Sequence, residues 1–359
     1  MLKATIVTPS LGAGGAERWI IDIIRSTNTR IEWNVVASGW GLIDRTLLDE
    51  LLTLVTVYGN KPSINVGGIS IPLIDNNYDG IEITGSEFGE AVKVGIEHSD
   101  FVITWAIPNI GEYIGEYKKP VIYVSHTDVR SPVEIYGHTH QVGVSKQSLN
   151  HFLNTDKPTC TIWNGANPRV GTDLETWEIV KEWKGPKPII GQIGRHVPLK
   201  QYMLTAKAVS KNPKLMLVNY GAGPDGEICQ KLEEFCRESI QDYYLSKPIK
   251  LIGSAISNFE VIVMPSTQEA NSLAVIEAML CRVPIISTNV GAIPEFEEEF
   301  GEMINKIPVD INPDALCDKI TQVINENNDD LVENNYQIAK EHMTIEAMGN
   351  RWYNYILSL

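Results

Sequence analysis

What constrains this chain most is the order of its apolar runs. Short β-type runs alternate with amphipathic stretches, the alternation stops once, and then it starts again. In the first half the strand candidates are Ala4–Thr8, Asn34–Ala37, Leu54–Tyr58, Phe101–Thr104, Val121–Val124 and Gln141–Val144. Helical stretches read at Glu17–Arg25 and Ser145–Leu153. The break is Lys184-Gly185-Pro186-Lys187-Pro188. Proline lacks a backbone N–H and fixes its φ, so a cluster of this kind ends regular structure. Strands then read at Ile189–Ile193, Lys214–Val218, Ile249–Ile252, Val261–Met264 and Ile285–Ser287, with a helix from about Leu199 to Ser210. Parallel strands need a crossover connection, usually a helix, so this alternation predicts α/β architecture with helices on both sheet faces. Two doubly wound domains are expected, over 1–168 and 188–340, with a cleft between them. Ligands of such folds sit beyond the carboxyl ends of the strands. The loops just after strands are therefore where chemistry is sought.

Length and charge narrow the function classes. A chain of 359 residues exceeds the usual single domain. A formal net charge of -15 argues against nucleic acid as the main partner, because phosphate backbones attract basic surfaces. It also disfavours an anionic membrane surface, and nothing in the sequence indicates peripheral membrane contact. No apolar run approaches the ~20 residues needed to span a bilayer. The opening MLKATIVTPSLG reads as a first strand rather than a targeting segment, so a cytoplasmic location is expected. The five cysteines are odd in number and show no C-x-x-C spacing, which predicts reduced thiols rather than a disulfide framework or a zinc site. No metal-ligand cluster stands out, and metal independence is the expectation.

The segment from Pro265 to Glu295 reads PSTQEANSLAVIEAMLCRVPIISTNVGAIPE. A strand ends at Pro265, a short polar loop carries Glu269, and a helix runs from about Asn271 or Ser272 to Leu280. Leu273, Ala274, Val275, Ile276, Ala278, Met279 and Leu280 make this helix apolar all round, which predicts burial. Glu277 lies in its middle, and a buried lone carboxylate is expensive, so it needs a partner or a polar cleft. Helical Cβ atoms tilt toward the N-terminus, so Glu277 points back toward the loop. At 1.5 Å rise per residue it lies ~8–9 Å below the helix start. Glu269 and Glu277 can then bracket a ligand of about nucleotide-sugar length, its phosphates at the helix N-terminus. The competing structural reading is a buried Glu277 paired with an arginine or capping backbone amides.

The same segment resembles the E-x7-E signature of retaining glycosyltransferases with two Rossmann-like domains, the GT-B fold. The resemblance is to the large glycogen-synthase-like family, also called family 4 or group 1. Glu269 and Glu277 have the spacing, and Pro265-Ser266, Glu277-Ala278-Met279, Val283-Pro284 and Val290-Gly291-Ala292-Ile293-Pro294-Glu295 match around them. The resemblance implies that Glu269 contacts donor-sugar hydroxyls and Glu277 the ribose hydroxyls, with amides of Asn271, Ser272 and Leu273 near the phosphates. Where the family often has glycines after the first glutamate, this chain has Ala270-Asn271-Ser272, which implies a shifted donor preference.

Other motifs agree with the resemblance. Gly191-Gln192-Ile193-Gly194-Arg195 ends a strand, and Lys200 follows five residues later. Family members place an Arg and a Lys here to hold the donor diphosphate, so Arg195 and Lys200 are implied to stabilise the leaving group. Gly12-Ala13-Gly14-Gly15-Ala16-Glu17-Arg18 resembles the family's N-terminal glycine loop, which implies that Gly14 and Gly15 approach the donor phosphate. A nicotinamide enzyme would show G-x-G-x-x-G here instead. Ser125-His126-Thr127 follows a strand, and His126 matches a histidine that the family keeps near the reacting sugar. Gly221, Gly223 and Gly253 are implied to shape the nucleotide pocket. The C-terminal stretch Ile345–Leu357, with Trp352, Tyr353 and Tyr355, matches a crossover helix, 344–359, that packs back on the first domain.

The implied function is transfer of a sugar from a nucleoside-diphosphate sugar to an acceptor hydroxyl on a glycan, lipid-linked glycan or small molecule, with retention of configuration. Catalysis would rest on Glu269, His126, Arg195 and Lys200. No cofactor is expected beyond the donor substrate. A nucleotide-sugar epimerase of the same fold and an inactive nucleotide-sugar-binding protein are the alternatives. The acceptor, donor sugar, nucleobase and oligomeric state are left open.

Overall fold

The computed structural model describes residues 1–9, 11, 14–37, 45–59, 63–66, 69–72, 81–82, 88–127, 132–153, 156–171, 186–221, 226–246 and 251–359. The chain divides into two compact units, Met1–Gly165 with Ile345–Leu359, and Ala166–Thr344. Among the described residues no helix is long and apolar enough to cross a membrane.

The first unit contains strands β1 (Leu2–Thr8), β2 (Ile31–Ala37), β3 (Thr56–Gly59), β4 (Ser63–Val66), β5 (Ile69–Pro72), β6 (Ile81–Glu82), β7 (Phe101–Trp105), β8 (Val121–Ser125), β9 (His140–Gly143) and β10 (Thr159–Thr161). Eight of them form one sheet in the order β10-β9-β8-β7-β1-β2-β3-β6, with its pairs parallel, while β4 and β5 form a separate antiparallel pair. Ala4, Ile6 and Val7 of β1 are fully buried, as expected for a central parallel strand covered on both faces. Strand order reverses at β1, which has β2 on one side and β7 on the other. The loops after β1 and β7 therefore lie at the topological switch point.

The helices of this unit are α1 (Gly15–Thr27), α2 (Arg45–Leu52), α3 (Phe88–Ile96), α4 (Gly111–Ile114) and α5 (Lys146–Leu149). In α1, Trp19, Ile20, Ile23 and Ile24 recur at helical spacing and are buried, and Arg25 sits in the last turn where it complements the macrodipole. The α5 helix is much shorter than the predicted Ser145–Leu153. Ser145 caps it through the Ser148 N–H at 3.0 Å, but His151 and Leu153 leave it to exchange backbone hydrogen bonds with Val133. The tertiary bridge outcompetes continued local helix.

The second unit contains β11 (Ile189–Ile193), β12 (Met216–Tyr220), β13 (Tyr243–Ser246), β14 (Val261–Met264), β15 (Ile285–Thr288) and β16 (Asn305–Ile307), in one parallel sheet of order β13-β12-β11-β14-β15-β16. Its switch point lies between β11 and β14. Its helices are α6 (Tyr202–Val209), α7 (Gly226–Ser239), α8 (Ile252–Ile256), α9 (Leu273–Leu280), α10 (Ile293–Phe300), α11 (Pro313–Asn325) and α12 (Asp329–His342). Ile190, Leu217, Val261, Val263 and Ile286 of the sheet pack with Tyr202, Ala206, Val209, Leu316 and Ile320 of the helices.

Two expectations change here. The strand predicted at Ile249–Ile252 is instead Tyr243–Ser246, and Ile252 opens α8; Ile249 and Lys250 lie outside the described residues. The helix predicted from Leu199 starts at Tyr202, because Pro198–Lys200 forms a 3-10 turn and Gln201 adopts a left-handed conformation, φ 50° and ψ 42°.

The last helix, α13 (Ile345–Leu357), belongs to the first unit, where it packs on α1. Trp352 is fully buried, with its ring 5.5 Å from that of Trp19. Gly349 is needed for the approach, since a Cβ there would fall 2.3 Å from Ser26 Oγ. Arg30 lies over the Tyr353 ring at 4.4 Å and donates to Asn350 Oδ1 at 2.9 Å.

Candidate active site

The loops after β11 and β14 meet at the switch point of the second unit. Lys200, from the 3-10 turn after β11, makes an ion pair with Glu269 of the loop after β14. Ser266 Oγ donates to Glu269 Oε1 at 2.7 Å. The two loops are joined in the main chain as well, by Thr267 N–H donating to Leu199 O at 2.8 Å. Gln192 Nε2, in β11, donates to Lys200 O at 2.7 Å. The expected pair Lys200 and Glu269 is thus brought together, and Ser266 and Gln192 are additions that sequence reasoning missed.

Arg195 is exposed at the mouth of the same loop. Gly194, next to it, has φ +138°, and its carbonyl accepts from Tyr202 Oη at 2.6 Å. Burial and the charge of Glu269 push the Tyr202 phenol up, so it stays a hydrogen-bond donor to this loop. Gly221 lies beneath: a Cβ there would come 1.8 Å from Gly194 O. In the described geometry, Gly221 serves the close approach of the two loops. Gly253 is buried with its missing Cβ directed at the Pro168 carbonyl, 2.7 Å away, so backbone fills that space. Gly223 lies outside the described residues.

The α9 helix corrects one expectation. It is not buried all round: Leu273, Glu277 and Leu280 are half-buried, while Ala274, Val275, Ile276, Ala278 and Met279 are buried. The spacing of four and then three residues places the half-buried set on one stripe, with Glu277 in the middle. Alanines and aliphatics cover the other faces, so hydropathy alone hides this stripe. Ser272 is the N-cap, in extended conformation, and its side chain makes no cap hydrogen bond. Asn271 is buried beside it, and Leu273 follows as the first helical residue. On the far side, Gly291 (φ +68°) packs so tightly that a Cβ would lie 2.7 Å from Ala270 O and 2.9 Å from Glu269 Cβ. The Val290–Glu295 motif therefore braces the Glu269 loop.

The first unit supplies a different arrangement. His126 follows β8 and lies edge-on to two tryptophans, Trp19 at 4.8 Å and Trp105 at 6.3 Å between ring centroids. Its Nε2 is sealed from solvent and has no hydrogen-bond partner among the described residues. Burial pushes its pKa down to about 3, so the ring is neutral at pH 7. At Gly14, the expectation of a bare phosphate loop meets a carboxylate. A Cβ on Gly14 would fall 2.3 Å from Glu17 Oε2, which shows the acid folded back over the helix start, as a third-position glutamate does in a capping box. A phosphate at Gly14 and Gly15 would face that negative charge. Gly12 lies outside the described residues.

The family described as Glycosyl transferases group 1 matches residues 173–342. The match covers a little under half of the chain. The matched stretch holds Arg195, Lys200, Glu269 and Glu277 alike. A curated relative, N-acetyl-alpha-D-glucosaminyl L-malate synthase of Bacillus anthracis, is 25% identical over 221 residues, covering 58% of this chain and 52% of the relative. Sulfoquinovosyl transferase SQD2 of Arabidopsis thaliana is 28% identical over 145 residues, covering 38% of this chain and 26% of the relative. The matches thus span about half or less of these relatives. The crystal structure of Anabaena HepE in complex with UDP-glucose covers 100% of both chains with a TM-score of 0.76 at 16% identity. It shows the GT-B fold of two Rossmann-like units over the whole chain.

Proposed function

We propose that this protein transfers a sugar from a nucleoside-diphosphate sugar to an acceptor hydroxyl, with retention at the anomeric carbon. The observation that carries the reading is the Lys200–Glu269–Ser266 cluster at the switch point, beside a helix start whose first amides receive no side-chain cap. A cation, a carboxylate and a helix start at one place are what a diphosphate linked to a polyhydroxylated ring requires. HepE is similar in fold and was crystallised with UDP-glucose, which makes uridine the first base to test.

In this reading the donor diphosphate draws Lys200 from Glu269 and lies against Arg195 and the amides from Asn271 to Leu273. Glu269, released, accepts hydrogen bonds from sugar hydroxyls, and Glu277 meets the ribose. The acceptor oxygen attacks the anomeric carbon on the face from which the diphosphate departs. Its proton passes to a departing phosphate oxygen. Charge on the leaving group is met by Lys200 and Arg195, so transfer proceeds without a divalent metal, and chelation by EDTA leaves the rate unchanged. His126, kept neutral by burial and packed edge-on to Trp19 and Trp105, lines the sugar side of the site by its shape. Gly14 and Gly15 are assigned no phosphate contact, given Glu17.

Thermal shift with UDP, GDP, ADP and their sugars tests the donor, since binding to the folded state raises its stability. One nucleotide series should raise the melting temperature, and the matching sugar should yield an α-configured product from an α-configured donor. No shift with any member would overturn the reading. Donor rearranged with no acceptor present would mark an epimerase.

A further inference from the structure

The first unit holds a cavity that none of the candidate residues above lines. It has a volume of about 170 Å³ and lies beyond the carboxyl ends of β1 and β7, the switch point of that sheet. Pro9 follows β1, and Ile107 and Pro108 follow β7, while Phe88 of α3 and Tyr113 of α4 close the sides. These five residues are half-buried. Phe88 and Tyr113 meet edge-on at 5.2 Å between ring centroids. With Ile107 they rest on the core built from Val7, Val102 and Ile110, so the walls are backed by packed side chains. Asn109 also lines the cavity, and its side-chain N–H is taken by Glu112.

The chain enters this wall through a strained residue. Ala106, itself in the lining, has φ +54°, a left-handed conformation that a Cβ disfavours. A backbone hydrogen bond to the Tyr123 phenol helps to hold it there. Strain of this kind persists where the surroundings over-determine it, and it gathers at ligand sites. Trp105, the residue before, stands edge-on to His126 at 6.3 Å between ring centroids. The aromatic wedge around the histidine therefore runs directly into the cavity wall.

Size and lining decide what fits. An apolar cavity on the order of 150 Å³ stays dry and takes up one benzene ring. A sugar ring would set hydroxyls against Phe88, Ile107 and Pro108, where they lose their hydrogen bonds to water without replacement. No cation stands among the described lining residues to meet a phosphate. We propose that this cavity binds one aromatic ring, carried by the acceptor beside the hydroxyl that receives the sugar. That the ring belongs to an acceptor rests on the function proposed above. The test below uses no donor, so its failure is distinct from failure of that reading.

Phenyl β-D-glucoside and methyl β-D-glucoside are titrated against the full-length protein, with binding read by ligand-observed NMR. The probes share the sugar and differ in the ring. The phenyl compound should bind roughly tenfold tighter, near the low end of what burying one such ring gains. I107W fills the cavity and should erase the difference. Y113A removes one aromatic wall and should shrink it by roughly threefold, the worth of one aromatic contact. Should I107W fail to melt cooperatively, Y113A and the native comparison still decide. Equal binding of the two probes by the native chain would overturn the proposal. So would a phenyl advantage that survives undiminished in every variant that folds.

Discussion

The two units place their candidate residues at the same kind of site, the loops beyond the central strands, but hold them by different physics. In the second unit, Gln192, Lys200, Glu269 and Ser266 are linked by hydrogen bonds and one ion pair. In the first, His126 is gripped by the edges of Trp19 and Trp105, with its Nε2 unpaired among the described residues. Polar links fix distance and charge, and removing one member strands its partner in a half-buried place. An aromatic wedge fixes only shape, and another ring of similar outline fills it. The first arrangement suits the proposed role of meeting charge on a leaving group. The second holds one neutral imidazole in place by packing.

The strongest way to sharpen this contrast is K200A. It removes one cation from the leaving group and leaves Glu269 with Ser266 but no countercharge from Lys200, so kcat/KM should fall by about 10^3, as when one preorganised charge-stabilising donor is lost. Thermal unfolding should stay cooperative, and an unchanged kcat/KM would break the assignment. E277Q keeps the shape of the half-buried stripe on α9 but weakens hydrogen bonds to a charged acceptor. Those are worth about 1.5–3 kcal/mol, so donor KM should rise by roughly 10- to 100-fold, read by initial rates. Next comes acid. Burial holds His126 and His138 at about 3 in the fold, below the usual 6.5. The folded form favours the neutral rings, so this stability is complete above pH 6.5 and is lost as pH falls toward 3. Each contributes a slope of up to about 1.4 kcal/mol per pH unit. H126Q should remove one such slope from denaturant unfolding measured between pH 6 and pH 4, bounds set roughly inside that window. The smallest effect is expected for W105F, which keeps a ring edge against His126. Its kcat/KM should stay within about threefold of the parent, since near-isosteric swaps cost little; a larger loss would show that shape alone does not hold the histidine.

What the sequence revealed of this molecule follows from range. The strand–helix alternation and the spacing of Glu269 and Glu277 are local patterns, and most of the alternation is kept in the fold, with Ser145–Leu153 and Ile249–Ile252 as the exceptions. The half-buried stripe of α9 was less visible, because Leu273 and Leu280 look like core residues until neighbours are placed around them. His196 and Cys229 lie 33 residues apart, and nothing in the spacing of either announces the contact. Trp19 and His126 are farther apart still, joined only when β1 and β8 lie in one sheet. Glu17 lies three residues after Gly14, a spacing that marks a helix start as much as the glycines mark a loop. Tyr243–Ser246 was missed because its two tyrosines follow a polar Gln241-Asp242 pair and read as a loop.

The return of α13 to the first unit has a consequence for how the protein is made. The ribosome releases β1 to β10, then the entire second unit, and only afterwards the helix that carries Trp352 and Met348. Through most of synthesis Trp19 therefore has His126 but not Trp352 beside it, and the nascent first unit lacks the helix that covers α1. The second unit has no such debt. Its ends already meet, where Ala166 N–H donates to Met343 O at 2.9 Å, so it closes on itself before the chain is finished. The half of the molecule that is translated first is the last to mature.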